Sequence, residues 1–103
     1  KRYYLGQSHL RGRSAFHQWG AGEVGKAWLR EWDVMKPLAV ADINPRKVGR
    51  RIHGIPVIWP DVLPGPGETF IVVAVGAPTA REEIRAWLIP RGYRELRDFV
   101  FLA

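Results

Sequence analysis

The sequence contains no cysteine and no long apolar run. Without cysteine, the chain can form no disulfide, thiolate zinc site or thiol nucleophile. No stretch approaches the roughly 20 apolar residues of a membrane helix. The basic start is not followed by the apolar segment of a signal peptide. We therefore expect a cytoplasmic protein without a transmembrane segment.

The composition is that of one globular domain. The chain has 103 residues, of which 47% are hydrophobic and 25% charged, and domains usually run to about 100–150 residues. Two full domains do not fit, which excludes a cofactor domain beside a separate substrate domain. Residues 1–14 are polar and basic, so we expect a tail or linker from an upstream domain there, and the domain itself over residues 15–103. Since the first residue is Lys rather than Met, we also expect the chain to be part of a longer protein.

Positive charge is concentrated in the first half of the chain. Residues 1–51 hold 11 Lys and Arg against 4 Asp and Glu, whereas residues 52–103 hold 5 against 6. Such a skew favours an anionic partner such as a nucleotide phosphate, nucleic acid or lipid head groups. A solvated basic surface explains it equally well. Because no nucleic-acid-binding motif is present, we expect no specific nucleic-acid partner.

Strand and helix patterns alternate along the chain. Apolar residues at helical spacing predict helices that begin at Glu23 and Thr79. Short apolar or β-branched runs predict strands at residues 14–19, 38–41, 55–58, 69–75 and 99–102. This alternation is typical of a mostly parallel sheet with helices on its faces. We therefore predict a three-layer α/β domain with four to five strands.

Three local features carry further expectations. Pro56 predicts that its strand lies at a sheet edge, because proline donates no ladder hydrogen bond. Thr79 and Glu82 have the spacing of a capping box at a helix start. His17 and Gln18 interrupt the apolar run of a strand buried on both faces, which counts against the first strand.

The motif G-x-G-x-x-G occupies residues 20–25, between the first strand and the first helix. In dinucleotide-binding turns of this pattern, the first glycine makes a tight turn and the second lets the backbone approach a pyrophosphate. The third lets the helix pack closely against the strand. The helix start also presents free amides and the positive end of its dipole. Because glycine-rich turns are common, the motif needs support from its surroundings.

An aspartate follows the second predicted strand. Asp42 lies 22 positions after Gly20, and an acid about 20 residues on accepts hydrogen bonds from ribose hydroxyls in dinucleotide sites. The alternative is that Asp42 merely caps a turn with Asn44. The candidate cofactor-binding residues are therefore Gly20, Ala21, Gly22, Glu23, Val24, Gly25, Asp42, Asn44, Arg46 and Gly76.

Two other ligands fit parts of the same pattern. Residues 20–26 also match the NTPase loop G-x-x-x-x-G-K, but Ala27 follows where Ser or Thr would hold Mg²⁺. We therefore disfavour an NTPase. Arg46 or Lys47 would reach a 2′-phosphate, as in NADP sites, whereas Asp42 would repel it. NAD thus fits better than NADP.

Several segments carry a resemblance to a known family. They are WGAGEVGK at residues 19–26, VADINPRKVG at 40–49 and IHGIPV at 52–57, followed by VAVG at 73–76, AREEIR at 80–85 and DF at 98–99. In these segments the chain resembles the Rossmann-like C-terminal domain appended to some bacterial family 2 glycosyltransferases. It is also similar to the NAD-binding-like domains of sugar-nucleotide-modifying enzymes, including the N-terminal domain of bacterial sialic-acid-type acyltransferases. The resemblance covers about residues 15–103 and implies a Rossmann-like fold and a parent protein that acts on nucleotide sugars.

The sequence offers no complete catalytic centre. Tyr93 is followed four positions later by Arg97 rather than Lys, and three scattered histidines, His53 among them, make a poor metal set. We therefore predict a non-catalytic nucleotide- or dinucleotide-binding module of a larger sugar-processing enzyme. Its expected ligand is NAD or a nucleotide sugar, with no metal, and its expected partner is an upstream glycosyltransferase domain. The alternative is a scaffolding or interaction domain that has kept the fold and lost the ligand.

Overall fold

The computed structural model describes residue 10 and residues 12–13, 15–33 and 35–102. Most of the predicted tail, residues 1–14, lies outside the described residues. Within it, Leu10 is buried in the core. The guanidinium carbon of Arg13 lies 3.7 Å from the centre of the Phe70 ring. Both described parts of the segment therefore contact the domain.

One mixed sheet and two α-helices form the described part of the chain. In chain order the elements are β1 (Phe16–Trp19), α1 (Glu23–Glu31), β2 (Val40–Ala41), β3 (Arg51–Ile52), β4 (Ile55–Ile58), β5 (Phe70–Ala74), α2 (Pro78–Leu88) and β6 (Phe99–Leu102). Single-turn 3₁₀-helices follow β4 and α2, at Pro60–Val62 and Ile89–Arg91. The predicted alternation of strands and helices is confirmed.

The strand order across the sheet is β3-β4-β2-β1-β5-β6. Every neighbouring pair is parallel except β3 and β4, so the mostly parallel sheet is also confirmed. From the central strand β1, the chain first builds β2 and β4 on one side. It then crosses to build β5 and β6 on the other side. The strand order therefore reverses between β1 and β5.

The prediction of four to five strands is wrong, because the sheet has six among the described residues. The additional strand, β3, is only two residues long and pairs with β4 alone through a hairpin. His53 and Gly54 form its turn, with φ angles of 52° and 81°, as a two-residue turn between antiparallel strands requires. With Arg51 exposed, β3 has no apolar run by which the sequence pattern could reveal it.

The edge position predicted for the strand of Pro56 is also wrong. Strand β4 lies between β3 and β2. Its pairing with β2 begins only at Val57, opposite Val40. Pro56 therefore lies just before the first β4 residue that pairs with β2, so the β2–β4 ladder needs no backbone N–H from it.

Alternate residues of β5 face opposite sides of the sheet. One buried cluster combines every second β5 residue with residues of α1: Phe70, Val72, Ala74, Trp28 and Leu29. The other combines the intervening β5 residues with residues of α2: Ile71, Val73, Ile84 and Leu88. Each helix therefore contributes to a different cluster. Within the described residues, neither helix has the length and apolar character needed to cross a membrane.

Candidate functional site

A cleft of about 400 Å³ opens at the carboxyl ends of β1, β2 and β5. It lies between the segments that follow β1 and β5, where the strand order reverses. Ligands of open parallel sheets bind at such a point, outside the carboxyl ends of the strands. Its lining residues are Trp19, Gly20, Gly22, Glu23, Val24, Gly25, Asp42, Ile43, Ala74, Val75, Gly76, Ala77, Ala80, Glu83 and Ile84. Most of these side chains are apolar, as is common for small-molecule sites.

Two glycines of the β1–α1 turn are required by the packing of the protein itself. Gly20 has a φ of +117°, and a Cβ there would lie 2.6 Å from the carbonyl oxygen of Ala74. A Cβ on Gly25 would lie 1.9 Å from the carbonyl oxygen of Gly20. These contacts correspond to the roles predicted for the first and third glycines of the motif, a tight turn and a close helix–strand approach.

The middle glycine has no such internal reason. Gly22 has an ordinary φ of −83°, and a Cβ built on it would meet no atom within 4 Å. It is exposed and lines the cleft. It is also the N-cap of α1, and no side chain there accepts a hydrogen bond from the amides of the first turn. The space beside Gly22 is therefore open, and nothing in the described structure requires glycine there.

Gln18 holds the shape of this turn. Its side-chain Nε2 donates to the carbonyl oxygens of Gly20 at 2.9 Å and Gly25 at 3.0 Å. Its Oε1 accepts a hydrogen bond from Nε1 of Trp32 at 2.8 Å. The side chain is fully buried and thus joins β1, the turn and the end of α1. The polar residue that counted against β1 is a satisfied buried amide, and its role was missed in the sequence.

His17, the other polar residue of β1, is also accommodated in the core. It is 6% exposed, and its Nδ1 lies 2.8 Å from Oγ1 of Thr69. Burial lowers the pKa of the imidazole, because desolvation disfavours the charged form. Both polar side chains of β1 are therefore compatible with a strand at the centre of the sheet.

Asp42 reaches the glycine turn, as the sequence predicts, but its carboxylate is already bonded to the protein. One oxygen accepts a hydrogen bond from the backbone N–H of Ala21 at 2.8 Å, and the other accepts one from Asn44 at 2.8 Å. Asn44 in turn accepts one from the backbone of Arg46. Asp42 therefore both stabilises the turn and lines the cleft.

Lys47, from the same segment, makes a second hydrogen bond to the turn. Its ammonium donates to the carbonyl oxygen of Ala21 at 2.6 Å.

Three of the predicted site residues, Ala21, Asn44 and Arg46, are absent from the cleft lining. The other seven line it, so the structure brings most of the predicted set together.

The second wall of the cleft is formed by Gly76 and Ala77 after β5 and by Ala80, Glu83 and Ile84 of α2. The three α2 residues were missed in the sequence. The predicted capping box is wrong: α2 begins at Pro78 with Ala77 as N-cap and no side-chain cap. Proline suits the first helical position, so the helix starts one residue before Thr79.

All the charged side chains among the described lining residues of the cleft are negative. Glu23, Asp42 and Glu83 line it, and none of the described lining residues is Lys, Arg or His. Within the described residues, His, Asp and Glu form no group of three that could hold a metal ion.

The remaining candidates of the sequence lie elsewhere. His53 is in the exposed β3–β4 turn. The hydroxyl of Tyr93 donates to the carbonyl oxygen of Pro64, and burial raises its pKa. Neither residue lines the cleft.

No family model matches the chain, and no curated protein matches it either.

Proposed function

We propose that this chain is a nucleotide-binding module with a three-layer, Rossmann-like fold, whose cleft takes the nucleoside part of its ligand. The parallel strands follow the order β4-β2-β1-β5-β6. Numbered along the chain, this order is 3-2-1-4-5, which begins the strand order of dinucleotide-binding domains. The contribution of each helix to a different buried cluster supports helices on both faces of the sheet.

The open space at Gly22 is the observation that carries the proposal. Packing and backbone conformation account for Gly20 and Gly25, but neither accounts for Gly22. A ligand that passes close to the backbone of Gly22 would account for it. The ribose would then lie against Asp42. A carboxylate has about four acceptor positions, so both oxygens keep capacity for ribose hydroxyls beside their present bonds.

Replacement of Gly22 by serine separates binding from folding. Serine is among the preferred N-cap residues and meets no atom at this position, so Gly22→Ser should fold with an unchanged or raised melting temperature. Its side chain would project into the cleft and abolish binding. We would measure melting temperatures of the full chain with millimolar adenosine, uridine, AMP, NAD or UDP-glucose, followed by calorimetry. A ligand at a hundredfold excess over Kd should stabilise wild type by about 2.7 kcal/mol.

Gly65→Ser is the matched control. Gly65 has no positive φ, and a Cβ there would meet only the end of the flexible Glu68 side chain. The residue lies outside the cleft lining, so this variant should bind like wild type. A folded wild-type chain that responds to none of the five compounds would refute the proposal.

The proposed parent enzyme and candidate ligands rest on the family resemblance of residues 15–103. Similarity to the appended domains of glycosyltransferases supports a sugar-processing parent enzyme and NAD or a nucleotide sugar as candidate ligands. The composition supports a cytoplasmic location. On this proposal, chemistry belongs to another part of the parent protein.

A scaffolding role is the second candidate, and the bonds of Asp42 favour it. Both carboxylate oxygens already bind backbone amides, so the position of Asp42 is explained without a ligand. In a scaffold, Asp42→Ala would lower stability and leave no ligand response to lose. In a binding module, the same variant would also lose ligand affinity beyond the change in stability.

A further inference from the structure

The charge of the cleft limits which nucleoside ligands it can take. Glu23 of α1 and Glu83 of α2 are exposed lining residues, and Asp42, which follows β2, is a half-buried one. The nearby ammonium of Lys47 is bonded to the carbonyl oxygen of Ala21 and keeps its positive charge, but it lies outside the cleft lining. Arg85 on α2 is paired with Glu82 and Glu95. A phosphate in the cleft would therefore meet three carboxylates and no cationic lining residue.

The start of α1 offers a phosphate less than an ordinary helix start. Free amides and the helix dipole attract anions, but the carboxylate of Asp42, which accepts a hydrogen bond from the amide of Ala21 just before the N-cap, places a negative charge beside this helix start. Glu23 places a further negative charge in the first turn of the helix. Within the described residues, no cluster of ligating side chains could bring a metal ion to offset the charge of a pyrophosphate.

We infer that the cleft selects a nucleoside whose 5′ group is uncharged or cationic, and that each added phosphate weakens binding. The inference rests on the proposed function and narrows it. NAD and nucleotide sugars, which contain a pyrophosphate, are then poorer ligands than the nucleosides within them. Carboxylates repel an added negative charge over several ångströms, and salt screens that repulsion.

Two charge series test this inference. Calorimetry on the full chain would compare adenosine, AMP and ADP, and in parallel uridine, UMP and UDP, at 20 mM and 300 mM NaCl. In the series that binds, we expect affinity at low salt to fall about fivefold with each phosphate, from repulsion by three nearby carboxylates. The loss should shrink at high salt, whereas salt should leave nucleoside binding unchanged.

A pair of charge-matched variants assigns the effect to the cleft. Glu23→Gln with Glu83→Gln should raise the affinity for the diphosphate about tenfold and leave that for the nucleoside unchanged. The control is Glu31→Gln with Glu82→Gln, which removes the same charge from the same two helices outside the cleft lining. This control should bind like wild type.

The outcomes separate the inference from the proposed function. A diphosphate that binds wild type more tightly than its nucleoside overturns the inference and leaves the proposed function standing. Equal gains from the cleft and control pairs also overturn it, because the effect would then come from net charge. If no compound binds the folded wild-type chain, both fail together.

Discussion

The indole N–H of Trp32 donates to Oε1 of Gln18 over 2.8 Å, and this bond fixes which way the amide of Gln18 faces. Tryptophan can only donate, so the oxygen of Gln18 turns towards α1 and its nitrogen turns towards the glycine turn. There the nitrogen donates to the two carbonyl oxygens of Gly20 and Gly25. The shape of the candidate site therefore depends on a tryptophan outside the cleft lining.

Loss of the Gln18 side chain should destabilise the fold. Gln18→Leu leaves two buried groups without their side-chain partner, the carbonyl oxygen of Gly20 and the indole N–H of Trp32, whereas the carbonyl oxygen of Gly25 keeps its hydrogen bond within α1. Since each unsatisfied buried group costs about 1–3 kcal/mol, we expect a loss of about 3–5 kcal/mol in the free energy of unfolding. Urea denaturation followed by tryptophan fluorescence measures it.

Trp32→Phe tests the same network from its other end. It removes one donor and leaves the two Gln18 donations intact, so its cost should be smaller, about 2 kcal/mol. The double variant should cost less than the sum of the two, by at least about 0.5 kcal/mol, since the residues are in contact. Strict additivity would contradict the coupling of Gln18 and Trp32.

Gly25 and Gly76 both line the cleft, but alanine should have opposite consequences at the two positions. At Gly25 the new Cβ would lie 1.9 Å from the carbonyl oxygen of Gly20, whereas at Gly76 it would make an ordinary 3.6 Å contact with Val24. Overpacking of this kind costs typically about 1–3 kcal/mol, and we expect Gly25→Ala at the upper end.

Gly76→Ala should be neutral or stabilise by up to about 1 kcal/mol, because alanine restricts the unfolded chain. Parallel urea denaturation curves of the two variants and the wild type give the comparison. Equal losses at both glycines would contradict the close approach of α1 to the turn.

The elements that the sequence predicted are those with a periodic pattern of their own. The continuous apolar run of β5 and the apolar stripe of α2 are visible without knowledge of their neighbours. Strand β3 was missed because its two residues carry no such pattern. The turn residues His53 and Gly54 were the available signal, since histidine is among the residues enriched at positive φ.

The candidate site was predictable only where the chain is continuous. The glycine turn lies within six consecutive residues, and Asp42 follows at a spacing set by one strand and one helix. The wall formed by Ala80 and Ile84 depends on β5 being placed beside β1, which is a property of the topology. The role of Gln18 depends on Trp32, its partner across the α1 segment, and no spacing rule points to that pair.

Stability should fall as the pH drops from about 7 to 5, because of His17. Burial lowers the pKa of its imidazole in the folded state, whereas an unfolded chain titrates near about 6.5. Below that pH the unfolded state binds a proton that the native state resists, so the free energy of unfolding decreases. His17→Gln should reduce this dependence, as measured by urea denaturation across the pH range.

His53→Asn is the control for the histidine experiment. The residue lies in an exposed turn with a φ of 52°, which asparagine tolerates. The variant should keep the wild-type dependence on pH. If His53→Asn flattened the profile and His17→Gln did not, the assignment to the buried imidazole would be wrong.

Asp98 gives the opposite kind of group, a buried carboxylate that stabilises the fold only while it is ionised. Its side chain is 4% exposed, and burial alone would raise its pKa. Hydrogen bonds from the guanidinium of Arg97 and the backbone N–H of Arg94 outweigh burial and lower the pKa below its ordinary value. The stability it contributes is therefore complete above about pH 4, where the unfolded carboxyl is also ionised, and is lost as the pH falls through the folded pKa.

Asp98→Asn should cost about 1.5–3 kcal/mol at pH 7, the range for hydrogen bonds to a charged group. The gap between variant and wild type should narrow in denaturation curves taken at successively lower pH, and a gap that stayed constant down to pH 2 would contradict the ionised role of Asp98.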